Sequence, residues 1–275
     1  LADPRDASGA MPPELAAALD GSAIPAVVGG RSATPLRRLL LPTPSLAGAG
    51  QLGHVNLVRS EDGVVRAIPL ALPAPGGREL PALPLAALSV ALGQDIVLFR
   101  DAQVAVGDHW MPIDRGDRIV IDHVGGRGAV PTYSLVDVLE ERIPADAFRD
   151  RIVFIGATAD SLGDIFATPL AKDVSGVEIL AGVTAGLIEG RAIRRTDAAV
   201  AGSAALALIL CLGALRASRI PSPPGAVLVT ATVWIVGIAV LQAAFSRFGL
   251  WLDATAALAG AGCGTLVGAF GRHAW

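Results

Sequence analysis

The last third of the chain limits what it can fold into. Three apolar stretches follow one another there: Ala198–Leu215, 18 residues without a charge; Gly225–Ser246, 22 residues interrupted only by Gln242; and a third from about Phe248 to Phe270, with Asp253 near its start. A bilayer core takes about 20 apolar residues in helical form, with a range of about 17–25. Buried helices of a soluble core are the competing reading of any one stretch. Three in succession favour membrane-spanning helices. The polar links Arg216–Pro224 and Ser246–Arg247 are short, as in a stack of three helices joined by tight turns.

Charge divides the chain at the same place. Residues 1–197 hold 24 of the 25 acidic and 18 of the 22 basic residues, net −6. Residues 198–275 hold Asp253 against Arg216, Arg219, Arg247 and Arg272, net +3, and the two sum to the −3 of the whole. With 52% hydrophobic and 17% charged residues, disorder, a charged coiled coil and a basic nucleic-acid binder are excluded. The expected organisation is a water-soluble domain over 1–196, long enough to bury one sizeable core, and a three-helix transmembrane module over 197–275.

Both cysteines, Cys211 and Cys263, fall inside the apolar stretches and read as small hydrophobes. No signal-peptide core is present, so the soluble part is cytoplasmic or follows an upstream export segment. Arginine counts leave both open. With the domain outside, Arg216, Arg219 and Arg272 lie inside and Arg191, Arg194, Arg195 and Arg247 outside, three against four.

The soluble part reads as α/β, a mixed sheet with a β-rich insertion. Pro12-Pro13-Glu14 opens a short helix closed by Asp20-Gly21, and Ile24–Val28 reads as a buried strand. Residues 31–52 read as an irregular connection with a turn at Leu36–Leu41. Two β runs, His54–Arg59 and Val64–Leu72, flank an Asp62-Gly63 hairpin turn, and Pro69 puts the second at an edge or ends its pairing. Leu83–Leu92 has helical spacing and stops at Gly93. Short strands follow at Ile96–Phe99, Val104–Val106, Trp110–Ile113 and Arg118–Asp122. Ser134 opens a helix through Glu141, Arg151–Ile155 reads as a strand buried on both faces of a parallel sheet, and Val177–Glu189 is helical up to Gly190.

The segment from Arg151 to Leu170 is the densest functional-looking stretch. A buried strand ending at Gly156, then small and polar residues, is where open α/β sheets place ligands. Gly156, Thr158, Asp164 and Thr168 are the candidate ligand-binding residues; a tight connection in which Gly156 allows close packing and Asp164 satisfies backbone amides is the other reading. The segment lacks the P-loop Gly-Lys-Ser/Thr and the dinucleotide glycine spacing. His109, Asp122 and His123 match no metal-ligand pattern, and strand alternation sends the last two to opposite faces. No nucleophile elbow accompanies Ser161. The expectation is therefore no catalytic residue, no metal and no cofactor, and the scarcity of aromatics gives no platform for nucleic acid. Gly260, Gly264 and Gly268 share one helix face, for helix packing within the module or for dimerisation between chains.

Several motifs resemble a known family in its order. Gly53-His-Val-Asn-Leu-Val-Arg-Ser-Glu-Asp-Gly-Val-Val-Arg66-Ala-Ile-Pro-Leu70 is similar to the hairpin of the type-two CHASE sensory domain. Pro131-Thr-Tyr-Ser134 before Asp137-Val-Leu139, the Arg151–Leu170 segment, and Gly176-Val-Glu-Ile179 with Glu189-Gly-Arg191 resemble its later motifs, over about residues 50–195. The long match at Ile155–Leu170 is the specific one. Where the family commonly continues with His-Ala-Asn, Leu180-Ala-Gly182 stands here.

The resemblance implies a plan: an N-terminal membrane helix, an extracytoplasmic α/β sensor, three membrane helices and a cytoplasmic effector. By that plan the first helix and an opening β/α segment would precede Leu1, and the effector would follow Trp275. The expected function is sensory input without catalysis, passing an unidentified small-molecule or protein stimulus to a histidine kinase of a two-component system, a nucleotide cyclase such as adenylate cyclase, or a Ser/Thr kinase. The expected partners are the lipid bilayer, that effector and a second copy in a homodimer. The expected location is the cell's inner or plasma membrane, with the soluble domain in the periplasm or extracellular space. A membrane-anchored binding or scaffold domain is the alternative, and a membrane-bound hydrolase acting at the 156–170 loop the least favoured.

Overall fold

Apolar residues alternating from Ile96 to Met111 build the largest sheet of the protein, whose computed structural model describes residues 11, 13–29, 42–100, 103–114, 116–159, 164–191, 193 and 197–273. The chain divides into two units, Leu1–Ala192 and Ile193–Trp275. The first unit begins with α1 (Pro13–Ser22), β1 (Ala26–Val28), α2 (Pro44–Ala47), β2 (Val58–Arg59), β3 (Val65–Pro69), β4 (Ala71–Pro73) and β5 (Glu79–Pro81). It continues with α3 (Leu83–Leu92), β6 (Ile96–Phe99), β7 (Gln103–Val106), β8 (His109–Pro112) and β9 (Arg118–Val120). It ends with α4 (Leu135–Leu139), β10 (Ile165–Phe166), β11 (Val174–Ser175) and α5 (Gly176–Ile188).

The main sheet has the order β1-β6-β7-β8 and is mixed: β1 is parallel to β6, and the other pairs are antiparallel. The hairpin β2-β3 gains β9 as a third antiparallel strand. Its turn is held by Asp62, which accepts from Val64 N at 3.1 Å and pairs with Arg66; that guanidinium holds the Asp62 carboxyl down at about 2. Leu98, Val104, Val106 and Met111 of the main sheet share one core with Leu85 and Leu88 of α3 and with Ile179, Leu180, Val183 and Leu187 of α5. Burying one such side chain contributes about 1.5–3 kcal/mol. Helix α3 stops where Gly93 turns left-handed at φ 61°, a conformation that favours glycine.

One buried cation joins the separate sheets. Arg100, directly after β6, donates from its backbone N to Val28 O at 3.0 Å. Its buried guanidinium pairs with Asp117, before β9, and with Glu79 of β5. Charges removed from water are tolerated only when paired.

Several sequence expectations need correction. Arg151–Ile155 is not a buried strand: it pairs with no described strand, and Val153 is 52% and Ile155 80% exposed. β1 takes β6 as its parallel partner, and no described strand lies beside 151–155 to complete a ladder. Its period-two alternation survives, since Ile152 and Phe154 turn inward and Phe154 packs on the core. The Ile24–Val28 strand shrinks to Ala26–Val28, and as the edge of its sheet it leaves Val27 and Val28 exposed. β3 is central in its sheet, so Pro69 ends its pairing rather than marking an edge. The helix at Ser134 ends at Leu139, short of Glu141, and Ser134 makes no side-chain cap bond. The turn expected at Leu36–Leu41 lies outside the described residues.

The second unit is three helices: α6 (Asp197–Ser218), α7 (Pro223–Phe248) and α8 (Ala254–His273). At 1.5 Å per residue they are about 33, 39 and 30 Å long. Two of the expected three, Ala199–Ser218 and Pro224–Phe248, are long and apolar enough to cross a membrane. Within the described residues the apolar stretch of α8 runs over Ala254–Gly268, shorter than the other two. The expected link at Ser246-Arg247 lies inside α7, which stops at left-handed Gly249, φ 59°. The turn falls at 249–253, where Asp253 Oδ1 accepts from Thr255 N at 2.9 Å and opens α8.

Replacing Arg100 with Met leaves Asp117 and Glu79 buried without their cation. The expected loss of stability is about 3–5 kcal/mol, read in denaturant unfolding of the chain in detergent; a change below about 1 kcal/mol would show that water reaches the carboxylates.

Candidate functional site

The loops around the N-terminus of α5 hold the sequence's candidate residues. Gly156 lies against α5: a Cβ there would sit 2.7 Å from Val177 Cβ. Asp164 O accepts from Gly176 N at 2.9 Å, and its carboxylate lies so close that a Cβ on Gly176 would meet Oδ2 at 2.6 Å. Thr168 is buried, and its hydroxyl is engaged in its own turn, accepting from Ala171 N at 3.1 Å and Leu170 N at 3.3 Å. Thr158 is exposed. Gly156 and Asp164 thus meet at the first turn of α5, Thr168 supports the loop from within, and Asp164 and Thr158 present polar groups to solvent.

A third loop reaches the same place, one the sequence reading passed over. Gly128 N donates to Glu178 Oε1 at 2.5 Å, and a Cβ on Gly126 would lie 3.1 Å from Ala171 Cβ. Between Gly125-Gly126 and α5 is a cleft, flanked by Asp122 and His123, with room for about one water molecule. The only available signal was the glycine-rich run Gly125-Gly-Arg-Gly128 after the Arg118–Asp122 strand. Another concavity is an open apolar groove of about 370 Å³ along α3, bordered by Leu83, Ala86, Val90 and Ile152.

The 164–171 loop is stitched to the hairpin as well. Val65 N donates to Ala167 O at 2.8 Å, and the Arg59 guanidinium sits 4.6 Å above the Phe166 ring. The far end of α5 is tied by Arg191, which donates from its backbone to Gly186 O at 2.8 Å and pairs with Asp122 at 2.9 Å and Glu189 at 2.6 Å. Asp122 and His123 point to different partners: His123 Nε2 lies 3.1 Å from Val65 O. Among the described residues no three His, Cys, Asp or Glu side chains gather closely enough to hold a metal ion.

Burial acts on two histidines. Burial pushes His54 down to about 4, with the Pro69 carbonyl opposing, and burial lowers His123 against the pull of Val65 O and Asp122. His54 sits where Asn56 N approaches Nδ1 at 3.3 Å and its own backbone bridges Pro81 and Leu83.

In the second unit the glycine face meets α6 of the same chain. A Cβ on Gly260 or Gly264 would lie 3.0 Å from the Cα of Ala207 or Cys211, and closer still to their carbonyl oxygens. Gly268 packs on Ser218, and Asp253 N donates to Ser203 Oγ at 2.8 Å. The contacts advance together along both helices, so α6 and α8 run side by side in the same direction. Small residues permit that approach, as in small-xxx-small packing between membrane helices.

A family model of the CHASE2 domain matches residues 2–217. The chain belongs to the CHASE2 family, non-catalytic extracellular sensory domains of signalling receptors. No curated protein and no solved structure matches it.

The depressed His54 sets a pH window. In the unfolded chain it takes a proton below about 6.5, and in the folded chain only below about 4. Stability is therefore full above pH 6.5 and falls as pH drops toward 4, by about 3 kcal/mol. His54→Gln should flatten that part of the unfolding profile between pH 7 and 4; an unchanged slope would assign the acid sensitivity elsewhere.

Proposed function

We propose that this chain is the extracytoplasmic input module of a homodimeric transmembrane receptor. It relays a small-molecule or protein stimulus through its membrane helices to a cytoplasmic histidine kinase, nucleotide cyclase or Ser/Thr kinase. The observation that carries this reading is the span of the family match, which runs from the sensory unit through α6 to residue 217. Only 22% of the apolar span in α6 and 11% of that in α7 is buried within the chain. A helix from a soluble core would be covered on most sides, so a bilayer is the surrounding that suits these two.

In this reading the stimulus acts on the loops around the first turn of α5, where Thr158 and Asp164 are the accessible polar groups. Gly156 and Thr168 hold the loop's shape. Three loops bear on α5 and the hairpin braces one of them, so a ligand that favours one arrangement of any of them biases the helix. Helix α5 leads along the chain into α6, and α6 lies against α8 through the Gly260, Gly264 and Gly268 face. A relay needs an element with two arrangements whose balance the sensor shifts. Closely packed helices that touch through backbone are suited to that, because small rotations change many contacts.

Gly264→Ile tests the relay in the receptor that carries this module. The branched side chain has no room against Cys211, so α6 and α8 must separate. The expected outcome is effector output fixed in one state, with the thermal unfolding of the sensory unit unchanged. A receptor that still answers its stimulus normally would remove the α6–α8 contact from the relay.

A further inference from the structure

Several polar side chains on α6–α8 are satisfied inside their own helices; the carboxamide of Gln242 is not. Ser203, Thr230, Thr232 and Thr265 each donate to the carbonyl four residues back, at 2.8–2.9 Å. Gln242 is exposed on α7 and makes no hydrogen bond to another described residue. It lies one turn before Phe245, which meets Trp251 edge-on, and six residues inside the end of the span at Phe248. A carboxamide facing hydrocarbon has no water to replace the missing bonds, so a polar side chain there calls for a protein partner.

The surroundings of Gln242 identify that partner. Leu228, Ala231, Ile235, Ile238, Gln242 and Phe245 are all exposed and recur at alternating spacings of three and four. This is a heptad seam, with Leu228, Ile235 and Gln242 at one core position and Ala231, Ile238 and Phe245 at the other. The seam lies away from the α7 face that packs through Gly237 on Leu210. A carboxamide donates and accepts, so it is complementary to its own copy across a twofold axis. A single polar residue at a heptad core position fixes register and the number of strands.

We propose that α7 pairs in parallel with α7 of a second copy of this chain, with the two Gln242 carboxamides bonded to each other at the seam. The proposal rests on the homodimeric receptor reading above and names its membrane interface. The glycine face is not required, being covered by α6.

The test uses the whole chain in lipid vesicles with Cys211 and Cys263 replaced by Ala. Ile238→Cys lies on the seam; Val236→Cys is equally exposed but points away from it. Oxidation should link Ile238→Cys into dimers several-fold more than Val236→Cys. Adding Gln242→Leu should lower dimer affinity about three- to twenty-fold, measured by fluorescence transfer on dilution with lipid, and Gln242→Asn should restore most of it. Equal linking at both positions, or a dimer indifferent to Gln242→Leu, overturns the seam while leaving the homodimer intact. A chain without the Gln242 change that stays monomeric at every lipid dilution overturns the seam together with the homodimer reading.

Discussion

The uncovered apolar surface of α6 and α7 is the constraint that orders the second unit. Two helices of 22 and 26 residues bury little of themselves against their own chain. In water that surface would drive aggregation; in hydrocarbon it costs nothing, and the burden moves to the polar groups. The hydroxyls answer it by bonding back to their own helix, and charges are confined to the ends, with Arg216 and Arg247 in the last turns of α6 and α7. Without a hydrophobic force between helices, close fit must hold them together. The glycines of α8 supply that fit, which is also why α8 is the least apolar of the three.

The sensory unit solves a different problem. Its sheets are small and separate, with four, three, two and two strands among the described residues. Two devices join them: the Arg100 cluster, which ties the main sheet to β5 and the turn before β9, and the first turn of α5, where three loops meet. The second device is where family membership and geometry coincide. The Gly176-Val-Glu-Ile179 motif supplies a glycine that lets Asp164 approach, a valine that packs on Gly156 and a glutamate that holds the Gly128 loop. Leu180 and Gly182, standing where the family commonly has polar residues, face inward on α5.

Much of this was legible where a local rule decides the outcome. Leu83–Leu92 was readable to the residue because Gly93 alone can turn left-handed cheaply, and the Asp62-Gly63 turn announced its hairpin. Arg151–Ile155 misled because composition reports a segment's preference for extended backbone, not whether a neighbour exists to pair with it. The glycine face was visible as a face, but its partner could not be read, since α6 and a second chain offer the same small residues. Arg100, Glu79 and Asp117 come from three distant segments, and Gly128 meets Glu178 across 50 residues. No short-range pattern marks such meetings.

In the proposed topology the sensory unit lies outside the membrane, with α6 entering and α7 returning. Single cysteines at Ser222, in the α6–α7 turn, and at Ser246, near the end of α7, test it with a membrane-impermeant thiol reagent on intact cells, in a background lacking Cys211 and Cys263. Ser222 is the better inner probe because Ser218 packs on Gly268. That topology predicts labelling of Ser246→Cys from outside and of Ser222→Cys only after the cells are opened. Labelling of Ser222→Cys in intact cells, with Ser246→Cys protected, would reverse the topology and place the sensory unit on the cytoplasmic side.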